Sequence, residues 1–258
     1  MPFSPIWQTV GIPERIAAQQ IHVWAWPLDS SLGLTGQREA QVGLLDDKEL
    51  DRFHRFHFAC DRARFAIAHA NMRRILGAYL DRRPERLLFR TNSFGKPELV
   101  AEAQTRPLYF NLSHSRYIAL LALSMDTELG IDIEDIRPIE PEVAESHFSP
   151  TELAALSSLE GEAWLKGFYH CWTRKEAILK AEGVGLNLPL SSFDVSLIPG
   201  SPAKLLGVRS PAVFRRPWTL HNLATPFGTV AALAAGSVQA EVLCFRSEGG
   251  PWSRSETE

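Results

Sequence analysis

Cysteine is scarce, with three in 258 residues, and so is any charge excess: Lys and Arg number 27 against 30 Asp and Glu, a net charge of −3. The cysteines (Cys60, Cys171, Cys244) lie far apart, are odd in number and form no CxxC pair. That argues against a disulfide framework and for a reducing compartment. Without a basic stripe or basic domain, nucleic-acid binding is not expected. No apolar run approaches the ~20 residues a bilayer span needs; TVAALAAGSV is short and interrupted by glycine. The start, MPFSPIWQTV, lacks a charged segment followed by an apolar one, so no signal peptide is expected. These absences point to a cytoplasmic protein that binds neither nucleic acid nor membrane.

What is present is ordinary globular composition, 45% hydrophobic and 22% charged. The length can bury one large core or two smaller ones. IHVWAWPL (21–28) alternates as a strand and ends at proline. LLDDKELDRFHRF opens a helix with Asp46 as N-cap and Glu49 three residues on, a capping box. The next segment places Phe65, Ala68, Met72, Ile75 and Tyr79 at helical spacing. RLLFRTNSFGKPEL reads as a strand into a loop. PLYFNLSHS, YIALLALSM and GIDIEDI read as successive strands.

The pattern then restarts. Ser149, Pro150 and Glu152 form a second capping box, and a long helix follows to a stop at Gly183. Strands are expected near SSFDVSL, WTLHNL, GTVAALAA and AEVLCFR. A faint echo sets Cys60, Arg64, Ala66 and Ile67 against Cys171, Lys175, Ala177 and Ile178, with Glu176 opposite Phe65. We therefore expect an α+β fold of two similar halves, each a long helix on a small antiparallel sheet, packed as a pseudo-dimer. The expected boundaries are an N-terminal extension at 1–20, a first half at 21–125, a second half at 126–246 and a flexible tail at 247–258.

In GIDIED, residues two apart share a strand face, so Asp132 and Glu134 stand side by side with Ile131 and Ile133 opposite. Such a pair suits either a solvated face or a divalent cation, which favours hard oxygen ligands. In WTRKEAILKAEG, Glu176 lies one turn from Trp172 and one from Lys180. An exposed Glu–Lys pair there would contribute only ~0.3–0.5 kcal/mol. Trp172 and Leu179 on that side suggest instead that it faces inward, where a carboxylate and a lysine need partners. A cation bridging Asp132, Glu134 and Glu176, with Lys180 aimed at a phosphate, satisfies all four. Ser113 and His114 in FNLSHS sit at a strand-to-turn junction able to grip an anion. No GxSxG elbow surrounds Ser113, so a serine hydrolase is not indicated. Lys96 in FGKP lies on a proline-stiffened loop of a kind common on surfaces.

FGKP, FNLSHS, GIDIED and WTRKEAILKAEGVGL, in this order and spacing, resemble the 4′-phosphopantetheinyl transferases. The likeness is to the single-chain, surfactin-synthetase-activating type and covers about residues 20–245. It implies transfer of the phosphopantetheine arm of coenzyme A to a serine of an apo acyl or peptidyl carrier protein, releasing adenosine 3′,5′-bisphosphate. It implies Mg²⁺, with Mn²⁺ as the alternative ion, on Asp132, Glu134 and Glu176. Glu176 would help take the serine proton, directly or through water, and Lys180 would stabilise the diphosphate. Lys96, Pro97, Ser113 and His114 would line the coenzyme A pocket. For the 3′-phosphate the candidates are Arg64, which matches in register, then Arg52, then Lys48; solvated helix charges would look the same. A monomer is implied by the two-half length.

Two other readings stay open: a Mg²⁺-dependent hydrolase of a nucleotide or pyrophosphate, using the same acids with water, and a non-catalytic carrier or coenzyme A binding module.

Overall fold

The computed structural model describes residues 7–9, 15–28, 35–100, 106–209, 214, 216–225, 228–236 and 240–246. The tail expected at 247–258 lies outside the described residues, as does most of the extension at 1–20. The first elements are strands β1 (Trp7–Thr9) and β2 (Gln20–Pro27), then helices α1 (Thr35–Val42), α2 (Asp47–Arg55) and α3 (Ala59–Leu80). Strands β3 (Phe89–Thr91), β4 (Pro97–Leu99), β5 (Tyr109–His114), β6 (Ile118–Ser124) and β7 (Leu129–Asp135) follow. Then come helices α4 (Pro141–His147), α5 (Pro150–Leu156) and α6 (Gly161–Glu182). Strands β8 (Phe193–Val195), β9 (Leu205–Val208), β10 (Thr219–Leu223), β11 (Thr229–Ala235) and β12 (Glu241–Arg246) close the chain.

Two sheets lie face to face between two long helices. One has the order β1-β12-β2-β6-β5, the other β10-β11-β7. Val23, Leu120 and Ala122 of the first pack on Ile131, Ile133 and Leu233 of the second, so Ile131 and Ile133 are core as expected. The far face of the first sheet carries Trp24, Trp26 and Leu121, covered by Met72, Ile75 and Leu76 of α3. The far face of the second carries Val230, Ala232 and Ala234, covered by Ala177, Ile178 and Ala181 of α6. Strand β6, apolar on both parities, is buried along its whole length, as a strand covered on two sides must be.

The class is α+β, as expected, but the first sheet is not purely antiparallel. β12 runs parallel to both β1 and β2, so the last strand of the 126–246 segment sits in the sheet of the first. β2 is apolar on both faces and needs a neighbour on each edge; β12, with Val242, Cys244 and Phe245 turned into the cores, fills one of them.

Both capping boxes form as read, at Asp46/Glu49 and Ser149/Glu152. Each also receives a fully buried cation from the long helix behind it. Arg73 of α3 donates to Glu49 (2.6 Å) and Asp46 (2.5 Å), and Lys175 of α6 pairs with Glu152 at 2.8 Å. Helices α3 and α6 are both 22 residues long and both end on a left-handed residue, Asp81 and Gly183. Their matching positions are therefore 102 apart, as Arg73 and Lys175 are. This register corrects the echo read from the cysteines: Glu176 corresponds to Arg74, an exposed residue of α3, not to Phe65.

Candidate active site

The site is built where the open edges of the two sheets meet, along β5 and β7. No backbone ladder joins these strands; side chains of β5 serve the N–H groups of β7 instead. Ile131 N–H donates to Asn111 Oδ1 (2.8 Å) and Ile133 N–H to Ser113 Oγ (3.4 Å). Just past β5, Arg116 N–H donates to Asp135 (3.1 Å). Buried backbone donors need such partners, so Asn111 and Ser113 fix how β7 stands against β5.

On the other parity of β7, Gly130, Asp132 and Glu134 face α6. A Cβ on Gly130 would fall 2.2 Å from Ala177 O and 2.3 Å from Ala181 N. Glycine therefore lets the helix backbone settle onto the strand. That contact brings Glu176 and Lys180, each one residue before Ala177 and Ala181, toward Asp132.

Asp132 is 4% exposed. Its Oδ1 accepts from Lys180 Nζ at 2.6 Å and from Ser113 Oγ at 3.1 Å. Its Oδ2 is buried with no hydrogen-bond partner. Glu134 is half-buried, and its carboxyl is pushed up to about 7, first by burial and then by the charge of Asp132, with Lys180 and Arg137 opposing. Burial and Asp132 likewise raise the carboxyl of Glu176, against Lys180 and His147. The structure thus brings Asp132, Glu134, Glu176 and Lys180 together, and one ammonium stands against three carboxylates.

Among the described residues no group of three or more His, Cys, Asp or Glu side chains is placed to hold a metal ion. The donor set nonetheless fits a hard divalent cation. All three offer carboxylate oxygens, their mutual repulsion favours positive charge nearby, and Asp132 Oδ2 is a buried acceptor with no hydrogen-bond partner.

His114 ends β5 with one side in solvent. Its imidazole is pushed down chiefly by desolvation, against a backbone hydrogen bond at Ser115, with Lys180 and Arg52 nearby adding to the fall. Arg52 of α2 lies over the ring of Phe65 at 5.4 Å. His69 stacks on that ring at 4.0 Å and is held by Glu49 at 2.7 Å. Several groups able to carry positive charge thus face one spot, a setting that attracts an anion. Arg64 pairs with Asp61 (3.0 Å) and lies over Tyr117 (5.9 Å), while its buried Nε has no partner. Lys48 is exposed on α2.

Lys96 turns inward. Its ammonium donates to the carbonyls of Leu129 (3.1 Å) and Ala181 (3.2 Å). Asn92 binds the Gly183 carbonyl and accepts from Phe94 and Lys96 N–H. The loop before Pro97 is thereby tied to the end of α6 and the start of β7.

Gly130, Asn111, Asn92 and His69 were missed by sequence reasoning. The first two lie inside quoted motifs, GIDIED and FNLSHS, and a glycine opening a buried strand was a usable signal. His69 carried none, because its role depends on Phe65 and Glu49 meeting it in space.

A family model described as the 4′-phosphopantetheinyl transferase superfamily matches residues 128–233. The 4′-phosphopantetheinyl transferase HetI of Nostoc sp. is 37% identical over 221 residues, spanning 85% of this chain and 89% of that protein. The 4′-phosphopantetheinyl transferase Sfp of Bacillus subtilis is 30% identical over 161 residues, 62% of this chain and 70% of that one. The corresponding enzyme AcpT of Salmonella typhimurium is 45% identical over 91 residues, 34% and 46% of the two chains.

Proposed function

The chain belongs to the 4′-phosphopantetheinyl transferase superfamily and is an enzyme of that class, and we propose that it transfers the phosphopantetheine arm of coenzyme A to a serine of an apo acyl or peptidyl carrier protein. The products would be holo carrier protein and adenosine 3′,5′-bisphosphate. The observation that supports this most is the trio Asp132, Glu134 and Glu176 around a buried carboxylate oxygen with no partner. A Mg²⁺ ion held by these three would neutralise charge on the pyrophosphate of coenzyme A, which is most of what phosphoryl transfer asks of a site.

The protein's own groups would do the rest. The serine Oγ attacks the phosphorus that bears the pantetheine arm, and the bond from that phosphorus to the bridging oxygen breaks. Glu176 takes the serine proton, directly or through a water, because the alkoxide character develops beside its half-buried carboxyl. Lys180 faces the charge that builds on the leaving diphosphate oxygen. His114, with Arg52 and Arg64, receives the phosphates of the nucleotide end, and His69 backs His114. Lys96 acts from behind, anchoring the loop that presents Pro97, while Ser113 completes the wall. Lys48, exposed on α2, is left as an outer contact to phosphate.

The 102-residue spacing of the buried cations supports reading 21–125 and 126–246 as two related halves that work as a monomer. Among the described residues no helix is long and apolar enough to cross a membrane.

The test is incubation of purified protein with coenzyme A and Mg²⁺, with and without an apo carrier protein. A carrier mass gain of one phosphopantetheine arm supports transfer. Coenzyme A breakdown that needs no carrier would support the hydrolase reading instead.

A further inference from the structure

We propose that a cavity between α6 and the β10–β11 pair, outside the transfer site, is a second binding site. It takes a small carboxylate with an apolar body, and a proton together with it. The cavity holds about 370 Å³, near the lower end of the range of small-molecule sites. Val230, which lines it, pairs with Glu134 across the β11–β7 ladder. The cavity therefore opens one strand beyond the carboxylate trio, on the side away from β5.

One wall is a stripe of α6, on which Glu162, Lys166 and His170 follow at four-residue spacing and so share a helix face. Ile136 and Val230 form an apolar floor, and Asn222 of β10 closes the far side. The polar groups differ in how far they are engaged. Asn222 accepts from Arg174 (2.8 Å) and donates to the Ser201 carbonyl (3.4 Å). Lys166 holds Glu162 at 2.7 Å, an exposed pair that is worth little and is readily exchanged. His170 is half-buried, and among the described residues its imidazole makes no hydrogen bond or ion pair. Arg174 continues the stripe; it is buried, and its Nε has no partner.

The sign of the wall selects the ligand. Burial pushes the His170 imidazole down to about 4, and the charges of Arg174 and Lys166 push it the same way. At neutral pH the ring is therefore uncharged and stands between two cations, with Glu162 the one acid beside them. A carboxylate entering the cavity takes Lys166 from Glu162 and reverses the local repulsion. The imidazole then binds one proton from solvent and donates it to the carboxylate, a charge-assisted hydrogen bond. Because the complex holds a proton that the free protein lacks, binding tightens as pH falls from 7 toward 6. The apolar floor receives the rest of the molecule, which disfavours a bare phosphate.

Benzoate, its neutral isostere benzamide and inorganic phosphate are the probes, titrated calorimetrically into the full chain at pH 7 and pH 6. Two buffers of different ionisation enthalpy report the protons exchanged. Benzoate should bind at least about tenfold more tightly than benzamide or phosphate, with proton uptake and higher affinity at pH 6. Saturating coenzyme A should leave that affinity unchanged. His170→Gln should weaken benzoate by about tenfold and abolish the proton uptake. If that variant fails to fold, Lys166→Ala, at an exposed position, should weaken benzoate while leaving benzamide as it was. Benzamide or phosphate binding as well as benzoate, or benzoate binding without proton uptake, would overturn the proposal. So would displacement by coenzyme A, no saturable benzoate binding at millimolar concentration, or unchanged benzoate affinity in folded variants. None of these readouts needs a carrier protein, so a failure of the transfer reading leaves the test intact.

Discussion

Gly130 of β7 lies so close under Ala177 of α6 that a β-carbon would sit 2.2 Å from the Ala177 carbonyl oxygen. This contact sets the height of the helix over the strand, and with it the distance from Lys180 to Asp132. Gly130→Ala should force α6 away and cost about 1–3 kcal/mol or more through overpacking. Denaturant unfolding would measure the loss, and transfer should fall further than stability alone explains, since the lysine and the acids separate. A variant as stable and active as wild type would show that helix and strand have room to spare.

The Lys175–Glu152 pair is the second target. Both side chains are fully buried; Lys175 also binds the carbonyls of Leu190 and Phe193, and Glu152 binds Val195 N–H. Removing one partner strands a charge, so Lys175→Met should cost about 3–5 kcal/mol. Arg73→Met in the first half removes the buried cation shared by Glu49 and Asp46, though His69 still binds Glu49, and should cost about 3 kcal/mol, the lower end of that range. Lys166→Ala, which breaks an exposed pair with Glu162, should cost well under about 1 kcal/mol. Comparable losses at Lys175 and Lys166 would contradict the burial argument.

Acid sensitivity should begin above the carboxylate range. His22 is buried against Tyr79 and Phe245, and burial pushes its imidazole from 6.5 down to about 4. Between those values the unfolded chain binds the proton and the folded chain does not. Stability is therefore fully present above about pH 6.5 and is lost as pH falls toward 4, by at most about 3 kcal/mol. His170, also pushed down to about 4, acts in the same direction. His22→Gln should flatten part of the slope in urea midpoints measured from pH 7 to 4.5. An unchanged slope would mean that His22 is not a source of it.

Mg²⁺ dependence should move with Asp132. Asp132→Ala removes the orphaned oxygen and frees Lys180 from its partner. The Mg²⁺ concentration for half-maximal transfer should rise by at least about tenfold. An unaltered titration would take Asp132 out of the metal set.

How much of this was legible in the sequence depends on whether the information was local. Both capping boxes, the stop at Gly183 and the inward Ile131 and Ile133 could be read because each depends on neighbours within a few residues. Asp132, Glu134, Glu176 and Lys180 were legible as two same-face groupings, and the fold brings them together. The return of β12 to the first sheet was not, because strand pairing across more than 200 residues leaves no periodic mark. Arg73 was not singled out in the sequence, and Lys175 only as part of the echo; the fold alone shows that each ends on a capping-box glutamate. The motif pointed to Ser113 as a pocket residue but not to its bonds with Asp132, Ile133 and Lys180, which come from a strand and a helix far along the chain.

Under the transfer reading proposed above, three carboxylates and Lys180 carry out group transfer to a carrier, with Glu176 taking the serine proton. The most direct measurement is the mass of an apo carrier protein after incubation with coenzyme A, Mg²⁺ and either wild-type or Glu176→Gln protein. Wild type should add one phosphopantetheine arm, and the folded Glu176→Gln variant should leave the carrier unmodified on the same timescale. Equal modification by both would remove Glu176 from the chemistry and contradict the account.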